Sequence, residues 1–244
     1  ARKGVLTSAQ WPEVSKRLAE RLHIPPPRVV DCVDISHLQG KETVASKVRF
    51  IEGRPEPAQW RRFLLAEEVG NNDFLAMEQV VGRIFARASE EGMADLLVLD
   101  GGPGQLSSVW KVLSPNHPRR SVVALAKARK GRGALQAEER IYIRGEPDPL
   151  ILDPQTPERL FLERIRNEAH RFAITYHRKK RENLRFVLEQ VPGVGPAKRK
   201  ALLDFCKGDL TALKETSAQT LTDLKGIGLA LAEDILAHLQ RVLP

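Results

Sequence analysis

Apolar and polar positions alternate along this chain in two rhythms, and the switches between them outline its elements. Residues 8–23 (SAQWPEVSKRLAERLH) predict a helix that ends at IPPP, residues 24–27. Three prolines in a row cannot continue a helix and make a stiff connector. Residues 28–35 are apolar and β-branched, the pattern of a strand. Residues 43–51 (TVASKVRFI) and 59–66 (QWRRFLLA) predict a hairpin around EGRPEP, where Gly and Pro supply the turn. Over about 73–91, Phe74, Met77, Val80, Val81, Ile84 and Phe85 recur at helical spacing. Asn72 or Asn71 can cap that helix, and Gly92 lies just past its end.

Two continuous apolar runs follow, ADLLVLD (94–100) and SVVALAK (121–127), of the kind found in strands buried on both faces. Between them GGPGQ (101–105) turns into a helix running to about 113. Short strands at IYIR and LIL lead to Asp153-Pro154. Thr156-Pro157-Glu158 then starts a long helix, with a cap, a first-turn proline and an acid at the positive end of the dipole. Its apolar stripe is Phe161, Ile165, Ala169, Phe172 and Tyr176. The order of elements predicts an α/β fold, a mixed sheet flanked by helices.

Near residue 186 the character changes. VPGVGPAKRKALLDF and, 33 residues later, LKGIGLALAEDIL share the pattern apolar–x–Gly–apolar–Gly followed by a helix. This internal repeat predicts a small all-α domain. The expected division is an N-terminal helix and proline linker over 1–27, an α/β domain over 28–185 and the repeat domain over 186–244.

Composition narrows the class. The chain has 244 residues, 42% hydrophobic and 29% charged, enough for a globular core. No apolar run approaches the roughly 20 residues of a membrane span, and the N-terminus has no signal-peptide pattern. Cys32 and Cys206 stand alone in their segments, so neither a disulfide framework nor zinc spacing is present, and a reducing cytoplasm is the expected setting. The net charge of +8 favours a polyanionic partner. Residues 186–244 are neutral, so the whole excess lies in residues 1–185, thirty-two basic against twenty-four acidic.

Chemistry-bearing residues sit at the ends of the strands. Asp34 ends one apolar run and Asp100 another. If those strands are neighbours their carboxylates converge, and two carboxylates held together repel unless a cation intervenes. Hard oxygen ligands suit Mg²⁺ or Mn²⁺. Each acid alone is equally compatible with a strand-terminal turn. Asp31, three residues from Asp34, should point to the opposite face. GGPGQ lacks the endings of a nucleotide loop and reads as a tight turn that holds Asp100. His170 lies at the edge of the long helix, one residue past its stripe and among arginines that suit an anionic substrate. KARKGR (127–132) and YHRKKRENLR (176–185) are basic tracts that fit a phosphate track. In the repeat, Gly193 and Gly195, and again Gly226 and Gly228, expose backbone N–H groups at a helix start, and Lys198, Arg199 and Lys200 follow the first turn. Such turns hold phosphate without reading sequence.

These stretches resemble the C-terminal half of the UvrC family, incision subunits of bacterial nucleotide excision repair. The matching segments are DISHLQG (34–40), WRRF (60–63), NDFLAM (72–77), LVLDGGPGQL (97–106), RNEAHRFAITYHRKKR (166–181) and VPGVGPAKRKALL (191–203). The resemblance implies a ribonuclease H-like endonuclease domain followed by a tandem helix-hairpin-helix domain. It implies that Asp34, Asp100 and His170 form a metal-binding catalytic triad, with Asp73 as a further acid. Arg171, Arg178, Lys179 and Lys180, with the hairpin residues Gly193, Gly195, Lys198, Arg199, Gly226 and Gly228, are then expected to bind damaged double-stranded DNA. UvrB, with UvrA upstream, is the implied protein partner, and the 5′ incision the implied reaction.

Three departures stand out. Asn72 occupies a position where relatives often carry a second acid. The second hairpin, GIGLAL, has no basic residue where the first has Lys198. The chain also starts without a GIY-YIG nuclease module or a UvrB-binding segment. Two other readings fit the residues: a non-catalytic DNA-binding adaptor on the same scaffold, and a structure-selective nuclease that acts alone. His37 is expected in the turn after the first strand, as a supporting residue.

Overall fold

The structure is a computed structural model and describes residues 9–37, 43–65, 72–113, 121–126, 139–206 and 210–242, with the side chains of 176–184 and 211 left aside. The basic tract 127–132 lies outside the described residues, as do the side chains of Arg178, Lys179 and Lys180.

The first compact unit is built on one eight-stranded mixed sheet. β1 (Val29–His37) is its pivot: it pairs antiparallel with β2 (Thr43–Ile51) and parallel with β5 (Leu96–Asp100). Beyond β2, the short β3 (Arg54–Pro55) and β4 (Arg61–Leu65) share its outer edge. Beyond β5 come the parallel β6 (Val122–Ala126), then β7 (Arg140–Ile143) and β8 (Leu150–Ile151), both antiparallel.

Alternation along each strand feeds two apolar layers. Val30, Cys32, Leu96, Val98, Val123 and Ile141 face α1 (Trp11–Leu22) and α5 (Pro157–Glu189). Val33, Leu97, Leu99 and Ala124 face α2 (Asp73–Ala86) and α4 (Pro103–Val109), with the short α3 (Ala88–Glu91) after α2. The N-terminal helix is built into the first layer. Trp11, Leu18 and Leu22 are buried there, and the Trp11 ring meets Phe161 edge-on at 4.8 Å. The helix ends at His23, left-handed at φ 52°, whose N–H is donated to the Ala19 carbonyl.

Some expected boundaries shift for physical reasons. β1 runs to His37 instead of ending at 35, because Thr43 of β2 extends the ladder to it. His37 is therefore the last residue of a strand and does not lie in the turn. The helix expected over 73–91 breaks at Arg87, between α2 and α3. The stripe on α5 is buried at Phe161, Ile165 and Ala169, and continues through Ala173, with Phe172 only partly covered.

The second compact unit begins at residue 174, so the division falls inside α5. It contains α6 (Pro196–Phe205), α7 (Leu210–Lys214), α8 (Ala218–Leu221) and α9 (Leu229–Val242). The repeat is reproduced bond for bond. Val194 N–H donates to the Val191 carbonyl, and Ile227 to Leu224; Arg199 donates to Gly195, and Ala232 to Gly228. Gly193 and Gly226 both sit at φ 86°, in the left-handed region that glycine reaches without strain. Leu202 and Ile235 fill matching places in the shared core.

Candidate active site

The register of β1 and β5 brings the two acids together, although only Asp100 ends its strand: Asp34 lies three residues inside β1, because the ladder with β2 continues to His37. Val33 lies beside Leu99, so Asp34 and Asp100 follow on neighbouring parallel strands. Asp34 has the parity of Val30 and Cys32, and Asp100 that of Leu96 and Val98, so both face α5. Asp34 is buried, and its carboxylate lies close enough to that of Asp100 to act on its ionisation. Burial, then the neighbouring Asp34, pushes the Asp100 carboxyl up to about 7, against a smaller downward pull from Arg166. Two acids in contact inside a sheet resist being ionised together.

α5 supplies the third group. His170 Nδ1 lies 3.6 Å from Asp34 Oδ2, and the ring is largely exposed. The helix is held there by Ser46 of β2, which stands opposite Asp34 in the ladder and donates its hydroxyl to the Ala169 carbonyl at 2.8 Å. Arg62 of β4, opposite Ser46, donates to the Phe172 carbonyl at 3.0 Å and lies 3.7 Å over its ring. Ser36, two residues from Asp34 and so on the same face, donates to Asp34 Oδ2 at 2.7 Å. Ser36, Ser46 and Arg62 were not singled out in the sequence. Alternation from Asp34 points to Ser36, but Ser46 and Arg62 needed the cross-strand register.

Asp73 stands elsewhere. At the start of α2, its carboxylate contacts His37 Nε2, while His37 Nδ1 lies 3.1 Å from Thr43 Oγ1. His37 has the parity of Val33 and Ile35, so this cluster uses the opposite side of β1 from Asp34. The structure thus joins Asp34, Asp100 and His170, and ties Asp73 to His37 instead. Asp31 faces away from Asp34, as expected, and Arg49 clamps both its oxygens at 2.7 and 2.8 Å. GGPGQ forms the tight turn after Asp100, with Gly102 N–H donating to Gln105 Oε1 at 2.9 Å.

Among the described residues, no three His, Cys, Asp or Glu side chains are gathered closely enough to form a ready metal centre. The contacts are pairwise, Asp34 with Asp100 and Asp34 with His170. Their donor set still fits a divalent ion: two hard carboxylates that need a counter-charge, and one imidazole.

The expected DNA ligands are differently engaged. Arg171 is exposed and pairs with Glu168 on its own helix. In the hairpin unit Lys198 Nζ donates to the Gly193 carbonyl at 3.0 Å, and Arg199 pairs with Glu189 at 2.9 Å. A Cβ on Gly226 would meet Lys198 Cε at 3.5 Å, and one on Gly193 would meet Leu231 Cδ1 at 3.4 Å. Residue 198 of the first repeat and its counterpart 231 in the second therefore cross to each other's turn. No helix among the described residues is long and apolar enough to cross a membrane.

Comparison with known proteins agrees with this architecture. Residues 19–174 match the family model described as "UvrC RNAse H endonuclease domain", and residues 186–241 match a "SAM-like Helix-hairpin-helix tandem". A UvrABC system protein C from Synechococcus sp. (strain JA-3-3Ab) is 39% identical over 91% of this chain and 36% of its own length. The one from Syntrophotalea carbinolica is 37% identical over 98% of this chain and 39% of its own. The chain spans about 36–39% of the length of these curated relatives. Among solved structures, human ENDOV overlaps 71% of this chain and 99% of its own, at 13% identity and a TM-score of 0.40. With the family model covering most of the sheet unit and the tandem model the repeat, the chain belongs to the UvrC RNase H endonuclease domain family.

Proposed function

We propose that the chain is a divalent-metal-dependent DNA endonuclease that makes the 5′ incision beside a lesion in bacterial nucleotide excision repair. The observation that carries this reading is the Asp34–Asp100 contact, with Asp100 pushed up to about 7 and His170 at 3.6 Å from Asp34. Asp34 and Asp100 would hold Mg²⁺ or Mn²⁺, and His170 would complete the set from α5. When bound, such an ion would lend positive charge to the scissile phosphate and lower the pKa of a water so that hydroxide is available to attack it.

The chain's own residues prepare that site. Ser36 fixes Asp34 Oδ2 by its hydrogen bond, so the carboxylate is aimed before substrate arrives. Asp100, raised by burial and by Asp34, would be the acid that must give up a proton for a cation to be held there. Ser46 holds α5 at Ala169 and so keeps the neighbouring His170 over Asp34. Asp73, bound to His37, serves as a supporting acid on the other side of β1.

The names of the relatives, UvrABC system protein C, support a partnership with UvrB, with UvrA upstream. Damaged duplex DNA is the proposed substrate. The basic excess of residues 1–185, Arg171, Arg178, Lys179 and Lys180 among them, attracts it, and the hairpins at Gly193–Gly195 and Gly226–Gly228 hold its backbone. The test is incision of UvrB-bound, lesion-containing duplex by Asp34→Asn and Asp100→Asn. Both should lose the 5′ cut while retaining the fold and DNA binding. Normal incision by both removes the carboxylates from the reaction, and no incision with any metal leaves the DNA-binding adaptor.

A further inference from the structure

Glu139 has no part in the site as built so far, and Arg166 has entered only through its pull on Asp100. Each is 7% exposed, and their side chains form an ion pair. Burying two charges costs about as much as their attraction returns, so a pair of this kind calls for a further reason. It is also incompletely satisfied, because Glu139 Oε2 is buried with no hydrogen-bond partner among the described residues.

Position supplies the reason. Glu139 immediately precedes β7, where Ile141 pairs with Leu125 of β6, and Leu125 pairs in turn with Asp100. Glu139 therefore lies at the same end of the sheet as Asp100, two strands away, or about 10 Å. Alternation groups it with Ile141 and Ile143, on the face that α5 covers. Arg166 lies four residues before His170 on that helix, so the two stand one above the other on one face. One turn of α5 thus brings an imidazole to Asp34 and a guanidinium to Glu139. The ion pair and the two acids therefore share one end and one face of the sheet.

We propose that Arg166 is the resident counter-cation of the Asp34–Asp100 pair, and that Glu139 is the positioning residue that holds it in place. Arg166 keeps the two acids together while no divalent ion is present, and it opposes the arrival of one. Glu139 draws the guanidinium toward β7 and so leaves room for the ion. The inference rests on the proposed metal-binding role of Asp34 and Asp100.

Two measurements on the whole 244-residue chain test it. The first is a thermal-melting cycle without metal. Arg166→Gln should lower Tm by about 5–10 °C, as expected when one partner of a buried charge network is removed. Adding Asp100→Asn should recover at least half of that loss, and Arg166→Lys, which keeps the charge, should stay close to wild type. Strictly additive losses for Arg166→Gln and Asp100→Asn overturn the proposal. If Arg166→Gln alone does not fold, the cycle is run on Arg166→Gln/Glu139→Gln, where Asp100→Asn should again raise Tm.

The second is Mn²⁺ calorimetry. Arg166→Gln should bind the ion about tenfold more tightly and Glu139→Gln about tenfold more weakly, the scale of one pKa-unit-sized charge effect. Residues that serve only packing would shift both variants the same way, and a shared direction, or no shift, overturns the proposal. Failure of the nuclease reading looks different. Wild type would then take up no Mn²⁺ through Asp34 and Asp100, while the melting cycle would still decide the role of Arg166.

Discussion

Asp100 is the residue whose chemistry is most exposed to conditions. Its carboxyl is raised to about 7 by burial and by Asp34. A carboxyl with a raised folded pKa favours folding while protonated, and that contribution fades as pH rises through the folded value. The metal-free protein should therefore lose Tm between about pH 4 and pH 7, and Asp100→Asn should flatten that slope. Mn²⁺ affinity should rise over the same interval, because binding displaces the proton. A pH-independent Tm for wild type would contradict this account of the carboxyl pair. At Cys32, burial, then Asp100 and Asp34, push the thiol well above its ordinary value, so it should resist alkylation in the native state. Asp34 and Asp100 stood out in the sequence because each interrupts an apolar run, and His170 because it lies among arginines at the edge of the helix stripe. Glu139 and Ser46 could not, since only the pairing of β6 with β7 and of β1 with β2 says what they face.

At the scale of the element, the site depends on how α5 is seated on the sheet. Ser46→Ala removes the bond to the Ala169 carbonyl and should cost about 1 kcal/mol of stability. It should also slow incision, because His170 loses its fixed approach to Asp34. On the other face, Arg49 grips Asp31 and also donates to the Glu91 and Gly92 carbonyls at 2.6 and 2.9 Å. Arg49→Met leaves Asp31 buried without a counter-charge and should cost about 3–5 kcal/mol, read by denaturant melts. Gly53→Ala should be costly too, at about 2 kcal/mol or more. Gly53 sits at φ +75°, and a Cβ there would come 2.6 Å from the buried Trp11 ring. The longer strands and helices were legible from period together with turn and cap residues, down to the proline that opens α5. What period did not reveal was that α1 is part of the core. An amphipathic helix before a proline connector does not say which surface it covers, and the contact with Phe161 is made across the whole unit.

At the scale of the molecule, charge is divided between a basic sheet-bearing region and a neutral repeat. The repeat then relies on backbone N–H groups, with Lys198 beside both turns. Lys198→Ala should weaken duplex binding at all sequences and reduce the slope of log K against log salt by about one. Leu231→Lys should do the reverse, by restoring a cation to the second turn. The repeat was fully legible in the sequence, because a 33-residue offset needs no knowledge of the fold. The compact units divide within the continuous helix α5, between residues 173 and 174, whereas the change of sequence character comes near residue 186. The most direct test of the whole account is a metal-titrated incision assay on end-labelled, UvrB-bound, lesion-containing duplex. Wild type should cut once, on the 5′ side of the lesion, only when Mg²⁺ or Mn²⁺ is added, and Asp100→Asn should cut at least about 10³-fold more slowly at every metal concentration. A cut that persists in chelator, or that Asp100→Asn makes at the wild-type rate, would contradict it.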